Sequence, residues 1–181
     1  MQTLNQDIRE RSFRPVYLLY GEESFLKNSY KNRLKEAIAG GDAMNISSFE
    51  GKGADLDEVI RLADTMPFFA EKRLIIIEDS GLFRSAADVL VNYLPSMPDT
   101  TVLLFVESEV DKRGRLFKKV KELGYAAEMT RQDASQLARW AGGILAKEGK
   151  KITARTMDVF LSMTGDDMEH IRTELEKLIS Y

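Results

Sequence analysis

The stretch YLLYGEESFLKN, Tyr17 to Asn28, decides how the rest of the chain is interpreted. An apolar run ends at Gly21, and a helical pattern begins a few residues later. This order of strand, glycine and helix is typical of the first βα unit of a nucleotide-binding fold. However, Glu22 and Glu23 occupy the loop in which the phosphates of a nucleotide would lie. The stretch therefore predicts the topology of such a fold and raises the question of whether it binds a nucleotide.

Short apolar runs alternate with amphipathic stretches through the first 130 residues. This alternation predicts repeated βα units around a parallel sheet. The expected strands are 15–21, 45–51, 73–79, 100–108 and 126–129. The expected helices are a first one that carries Leu26, Tyr30, Leu34 and Ile38 at helical spacing, followed by 55–66, 87–94 and 114–123. Gly40 and Gly41 are expected to end the first of these helices.

From about Gln132 the pattern changes to three helical stretches with no strand between them. A five-stranded α/β domain followed by a small helical domain is the outline of the AAA+ fold, which is P-loop NTPase-like. We expect an α/β domain at 1–130 and a three-helix lid domain at 131–181. The sequence ends at Tyr181 without a glycine or proline stop signal, so we expect either a truncated sequence or a missing downstream domain.

Composition excludes several kinds of function. The chain has 181 residues, of which 44% are hydrophobic and 30% are charged, as expected for a soluble globular protein. Its formal net charge of −3 predicts no general attraction to nucleic acid or to anionic membranes. Without cysteine and with His170 as its one histidine, the chain is not expected to hold a metal ion. It has no long apolar run and no secretory signal, so a cytoplasmic location is expected.

The loop after the first strand departs from the P-loop template G-x-x-x-x-G-K-[ST]. When the template is placed on Gly21, Lys27 falls at the lysine position, but Leu26 replaces the second glycine and Asn28 replaces the hydroxyl residue. The two glutamates would also repel a triphosphate by roughly 1–4 kcal/mol per charge pair. The sequence therefore predicts a degenerate P-loop, with no nucleotide cofactor and no catalytic site.

Two further charged motifs allow more than one interpretation. Glu78 and Asp79 end a strand, where they either bind magnesium or simply solvate the end of that strand. The stretch 111–119 has five basic residues, which form either the solvated face of a helix or a contact to DNA phosphates. The candidate DNA contacts are Lys112, Arg113 and Arg115.

The stretch TMPFFAEKR, 65–73, is the most informative loop. Phe68 and Phe69 follow Pro67, which stops the preceding helix. If both rings were exposed, they would present about 300–400 Å² of apolar surface, and soluble proteins rarely leave such a patch uncovered unless a partner binds there. The residues alone leave two interpretations open: the pair fills the core, or it forms a partner-binding tip.

The chain resembles the delta subunit of bacterial DNA polymerase III, the clamp-loader subunit that opens the sliding clamp. The resemblance is carried by blocks that occur in the family's order along essentially all of the chain. They are YLLYGEESFL, MPFFAEKRLIII, TTVLLFVESEVDKRGRLFKK and the tail pattern Leu137, Trp140, Gly149, Ile152, Gly165-Asp166, 174–178 and Tyr181. The resemblance implies an AAA+-like module that has lost ATP hydrolysis and belongs to a DNA polymerase holoenzyme.

The family's clamp-binding element maps onto Phe68 and Phe69, with Met66 beside them. The implied partners are the sliding clamp (the beta subunit), the other clamp-loader subunits and, in the assembled complex, primed DNA. The resemblance also implies that the family's helical collar domain is absent from this chain. Two alternatives are an active P-loop ATPase and a different inactive scaffold such as the delta-prime subunit. The latter usually carries a cysteine-based zinc module, and this chain has no cysteine.

Overall fold

The computed structural model divides the chain into two compact units, Met1–Met129 and Thr130–Tyr181. The structure describes residues 1–40, 43–53, 55–85 and 87–181. Gly41, predicted to help end a helix, lies outside the described residues. Among the residues that are described, no helix has the length and apolar character needed to cross a bilayer.

The first unit is built on a five-stranded parallel sheet with the strand order β2-β3-β4-β1-β5. The strands are β1 Val16–Tyr20, β2 Ile46–Glu50, β3 Arg73–Glu78, β4 Thr101–Glu107 and β5 Tyr125–Glu128. The side chains of the three central strands are almost entirely buried, because helices cover both faces of the sheet. The ends of β3, β4 and β1 therefore lie side by side.

In the described parts of the chain, five α-helices belong to the first unit and three to the second. They are α1 Gln2–Glu10, α2 Ser24–Ala39, α3 Leu56–Ala63, α4 Asp88–Tyr93, α5 Arg115–Leu123, α6 Ala134–Lys147, α7 Ala154–Thr164 and α8 Met168–Ser180. Apolar side chains of α3, α4 and α5 pack with alternate residues of β1, β3 and β4 into one core cluster. The α/β fold class predicted from the sequence is confirmed.

One predicted helix end shifts by more than one residue. Helix α3 ends at Ala63 rather than at Met66. After it, the Thr65 N–H donates to the Leu62 carbonyl oxygen at 3.1 Å, which is the tighter spacing that often closes a helix.

Helix α1 was not predicted, because its residues are mostly polar. Leu4 and Asp7 are its buried residues. One carboxylate oxygen of Asp7 accepts hydrogen bonds from the Tyr17 hydroxyl at 2.8 Å and from Arg14 Nε at 2.9 Å. A buried polar interaction, which leaves no periodic apolar pattern in the sequence, therefore attaches this helix to the first strand.

The second unit consists of α6, α7 and α8, and each helix has a side-chain N-cap. Asp133 and Gln136 form a reciprocal capping box at the start of α6. Thr153 caps α7, and Asp167 caps α8. Such caps satisfy backbone N–H groups that have no partner within the helix. The buried side chains of the unit are Leu137, Ala141, Leu145, Met157, Met168, Ile171 and Leu175.

Glu107 closes the carboxyl edge of the sheet. It is the last residue of β4 and is buried. Its carboxylate accepts hydrogen bonds from the Ser80 backbone N–H at 3.1 Å, from the Ser80 hydroxyl and from the Gly81 N–H at 3.4 Å. Burial raises the pKa of the Glu107 carboxyl, and the hydrogen bonds offset only part of that effect.

This raised pKa predicts a pH-dependent contribution to stability. Because the folded state holds the Glu107 proton more tightly than the unfolded chain does, its favourable contribution is complete below about pH 4 and is lost as pH rises through the folded-state pKa. We therefore expect the unfolding free energy of the unsubstituted protein, relative to Glu107→Gln, to fall as the pH is raised from about pH 4 through the folded-state pKa.

Urea unfolding of both proteins across this pH range measures the difference. The exposed Glu36→Gln variant controls for the change in net charge. A difference that stays constant or rises with pH would contradict the assignment.

Candidate functional site: an apolar tip and an altered phosphate loop

The connection between α3 and β3 presents three large apolar side chains at the surface. Met66 is 74% exposed, Phe68 50% and Phe69 95%. We call these three residues the apolar tip. Of the two interpretations that the sequence left open, the core-filling one is wrong for this structure, because neither ring is buried.

The two rings of the apolar tip pack against each other. Phe68 and Phe69 meet edge to face, with ring centroids 4.6 Å apart and an interplanar angle of 84°. Phe69 also has a left-handed backbone with φ of 48°, which costs a residue with a side chain about 1–2 kcal/mol. An exposed aromatic pair on a strained backbone is typical of a binding site rather than of an ordinary loop.

Two buried polar side chains, those of Asn45 and Arg73, form hydrogen bonds with the backbone of the loop that carries the apolar tip. The side-chain amide of Asn45 donates to the Phe68 carbonyl oxygen at 2.8 Å and accepts from the Phe68 N–H at 2.6 Å. The guanidinium of Arg73 donates to the Thr65 carbonyl oxygen at 3.3 Å and to that of Met66 at 3.4 Å. Sequence reasoning missed both residues, because a polar residue beside a strand end usually faces solvent.

In the altered phosphate loop, Gly21 is required by the sheet. Its φ is 119°, and a Cβ atom at this position would lie 2.5 Å from the carbonyl oxygen of Met129. Its N–H donates to the carbonyl oxygen of Glu107 at 3.2 Å, and the N–H of Glu23 donates to that of Met129 at 3.0 Å. This glycine therefore allows a close approach between chain segments and does not require a phosphate to explain it.

The glutamate pair has a structural role at the start of α2. Glu23 is the N-cap of this helix, and its carboxylate accepts the Phe25 N–H at 3.1 Å. A helix N-terminus favours a negative group, which in a P-loop is a phosphate. Here a side chain supplies that negative charge. Glu22 is exposed.

The lysine at the P-loop position faces inward. Lys27 is buried, and its Nζ donates to the Glu107 carbonyl oxygen at 3.4 Å and to Ser108 Oγ at 3.3 Å. Leu26 is buried beside it, and Asn28 is exposed. Lys27 therefore connects α2 to the end of β4, a contact that a bound phosphate would have to replace.

The acids that end β3 are also engaged within the chain. Glu78 forms an ion pair with Lys31 at 2.8 Å. Asp79 accepts the Ser108 hydroxyl at 3.1 Å. Within the described ranges, no cluster of three or more histidine, aspartate or glutamate side chains is arranged to hold a metal ion.

The basic run lies at the surface, beside acids from other parts of the first unit. Lys112 pairs with Glu128 at 2.8 Å, and Arg115 pairs with Asp88 at 2.7 Å. The guanidinium of Arg113 binds its near neighbour Asp111 and lowers the pKa of that carboxyl. DNA phosphates would have to compete with these acids, and contact with DNA stays a prediction.

Comparison with known proteins gives three results. The family model for the DNA polymerase III delta subunit matches residues 17–130. The chain is 23% identical over 189 aligned residues to the DNA polymerase III subunit delta of Bacillus subtilis strain 168. That alignment covers 97% of this chain and 54% of the relative.

Solved structures show the same fold. The Bacillus subtilis DNA clamp loader delta protein matches with a TM-score of 0.81 and 22% identity, over 99% of this chain and 57% of that chain. A DNA polymerase III gamma subunit-related protein from Thermotoga maritima matches with a TM-score of 0.59 and 15% identity. That match covers 97% of this chain and 57% of the Thermotoga chain. The chain thus spans little more than half the length of these relatives. Since the family model covers well over half of this sequence, the chain belongs to the DNA polymerase III delta subunit family.

Proposed function

We propose that this chain is the clamp-binding part of a clamp-loader delta subunit, which binds the sliding clamp and helps to open it for loading onto primed DNA. The observation that carries the proposal is the exposed, mutually packed pair Phe68 and Phe69. This pair stands where the delta-subunit resemblance expects the clamp-binding element. Membership of the family supports the same assignment.

The apolar tip has the physical properties of a binding anchor. Aromatic side chains that enter a pocket contribute strongly to binding, because they remove a large apolar area from water. Such a contact can open the clamp only to the extent that the tip binds the open form better than the closed one. The free energy of opening would therefore come from differential binding of Met66, Phe68 and Phe69.

We propose that the chain itself has no catalytic role. The Glu23 carboxylate lies at the helix end that would receive a phosphate, and Lys27 is held by Glu107 and Ser108. ATP hydrolysis would be supplied by other clamp-loader subunits. Association with those subunits is part of the proposal, and the additional length of the relatives could contribute to it.

The altered phosphate loop predicts that the chain does not bind nucleotide. We expect no saturable binding of a fluorescent ATP analogue with Mg²⁺ at micromolar concentrations, since Glu23 would repel the phosphates and Lys27 is engaged elsewhere. Fluorescence titration measures this directly, with an ATP-hydrolysing clamp-loader subunit as the positive control. Saturable micromolar binding by this chain would refute the prediction.

The apolar tip predicts a loss of clamp binding when its two rings are removed. Replacing Phe68 and Phe69 together by alanine should abolish measurable binding to the cognate clamp, because aromatic anchors commonly cost about 2–4 kcal/mol each when truncated. The melting temperature should hardly change, because exposed side chains contribute little to folding. Surface plasmon resonance and thermal unfolding on the same protein measure the two effects.

Helix α7 offers a matched control. Val159 and Met163 are also exposed apolar side chains, 53% and 81% accessible, and they lie in the second unit. Their double alanine variant should bind the clamp like the unsubstituted protein. Equal binding by the phenylalanine variant and this control would end the assignment of the tip.

A further inference from the structure

The carbonyl and N–H of Phe68 are both bonded to one buried side chain. Asn45 precedes β2, is fully buried, and exchanges two hydrogen bonds with Phe68, at 2.8 Å and 2.6 Å. A residue pair in an antiparallel sheet exchanges two bonds in the same way. The amide side chain thus takes the place of a neighbouring strand and fixes the peptide groups on both sides of Phe68.

A second buried side chain holds the backbone that leads into the apolar tip. Arg73 is the first residue of β3, and its own N–H is bonded to the Thr100 carbonyl oxygen at 2.8 Å. Its guanidinium reaches the carbonyl oxygens of Thr65 and Met66. A guanidinium offers several donors in one rigid plane and can therefore hold two carbonyl groups at a fixed spacing.

The strained backbone of Phe69 fits this arrangement. Phe69 is almost fully exposed, so burial of its ring does not stabilise its left-handed φ of 48°. Strained conformations persist only where the surrounding structure determines them. Two contacts hold the chain on either side of Phe69. Asn45 is hydrogen-bonded to Phe68, the residue before it. Three residues after Phe69, the Lys72 amine donates to the Asp99 carbonyl oxygen.

We propose that Asn45 and Arg73 are positioning residues, which hold the apolar tip in its clamp-binding geometry before the clamp arrives. This inference rests on the proposed function. A preformed tip binds more tightly than a mobile one, because the cost of ordering it has already been met in folding. If the geometry were formed only one-tenth of the time, the apparent Kd would rise about tenfold.

Asn45→Asp is the sharpest test, because aspartate has the same shape as asparagine. In its ionised form, it keeps an acceptor for the Phe68 N–H but turns an oxygen toward the Phe68 carbonyl oxygen in place of the donor. We expect the Kd for the clamp to rise about tenfold while Met66, Phe68 and Phe69 stay unchanged. Asn45→Ala, which removes both hydrogen bonds, should weaken binding at least as much.

A control must distinguish lower stability of the Asn45 variants from displacement of their apolar tip. Val120→Ala provides the control, since Val120 is fully buried on α5 and its truncation weakens the core cluster. All variants are compared well below their melting temperatures, so that each is folded. Arg73→Lys is an independent variant that keeps the charge but loses the planar fork, and it should also weaken binding.

Backbone NMR relaxation gives a readout that does not depend on the clamp. In the Asn45 variants, order parameters at residues 68–70 should fall from about 0.85, typical of rigid backbone, toward 0.6. In Val120→Ala they should not change. Unchanged order parameters at residues 68–70 in the Asn45 variants would overturn the inference. Clamp affinities of the Asn45 variants equal to that of Val120→Ala would overturn it as well. If the unsubstituted protein does not bind the clamp, the proposed function fails, and the order parameters alone decide whether these residues hold the tip.

Discussion

The first unit depends on how polar groups are satisfied where its parallel strands end. In a nucleotide-binding protein of this topology, the ligand occupies the crevice at the carboxyl ends of the strands. Here the side chains of Lys27 and Glu107 occupy that edge and bind Ser108 and the Ser80–Gly81 backbone. Both side chains are buried, and unpaired buried polar groups are costly. Any ligand at this edge would therefore have to replace internal hydrogen bonds as well as form its own.

The apolar tip is held near the amino ends of the strands, whereas the altered phosphate loop lies at their carboxyl ends. Asn45 lies just before β2, Arg73 begins β3, and these strands are neighbours in the sheet. Strand β3 runs from Arg73 to Glu78 and spans about 17 Å. A partner at the tip would therefore not need to approach the altered phosphate loop.

Sequence reasoning predicted the parts of the molecule that have an apolar pattern. Strands β1, β3 and β4 are short apolar runs, and the departures at Leu26 and Asn28 can be identified against a template of known chemistry. Helix α1, Asn45 and Arg73 were not predicted, because their roles depend on buried hydrogen bonds between residues far apart in the chain. The acids facing the basic run were missed for a similar reason, since Glu128 and Asp88 lie on other elements. Pair interactions of this kind have no period, and only the folded chain brings the partners together.

The hydrogen bonds that Asn45 and Arg73 make with the loop of the apolar tip also explain how two phenylalanine side chains stay exposed to water when no partner is bound. A mobile loop would turn its rings onto the nearest apolar surface of its own chain, because burial is favourable wherever the backbone permits it. Hydrogen bonds from Asn45 and Arg73 restrain that movement. The edge-to-face contact between Phe68 and Phe69 shields part of each ring without hiding the pair. Under the proposed function, the tip stays exposed because its backbone is held, and the strain at Phe69 is the local cost of that exposure.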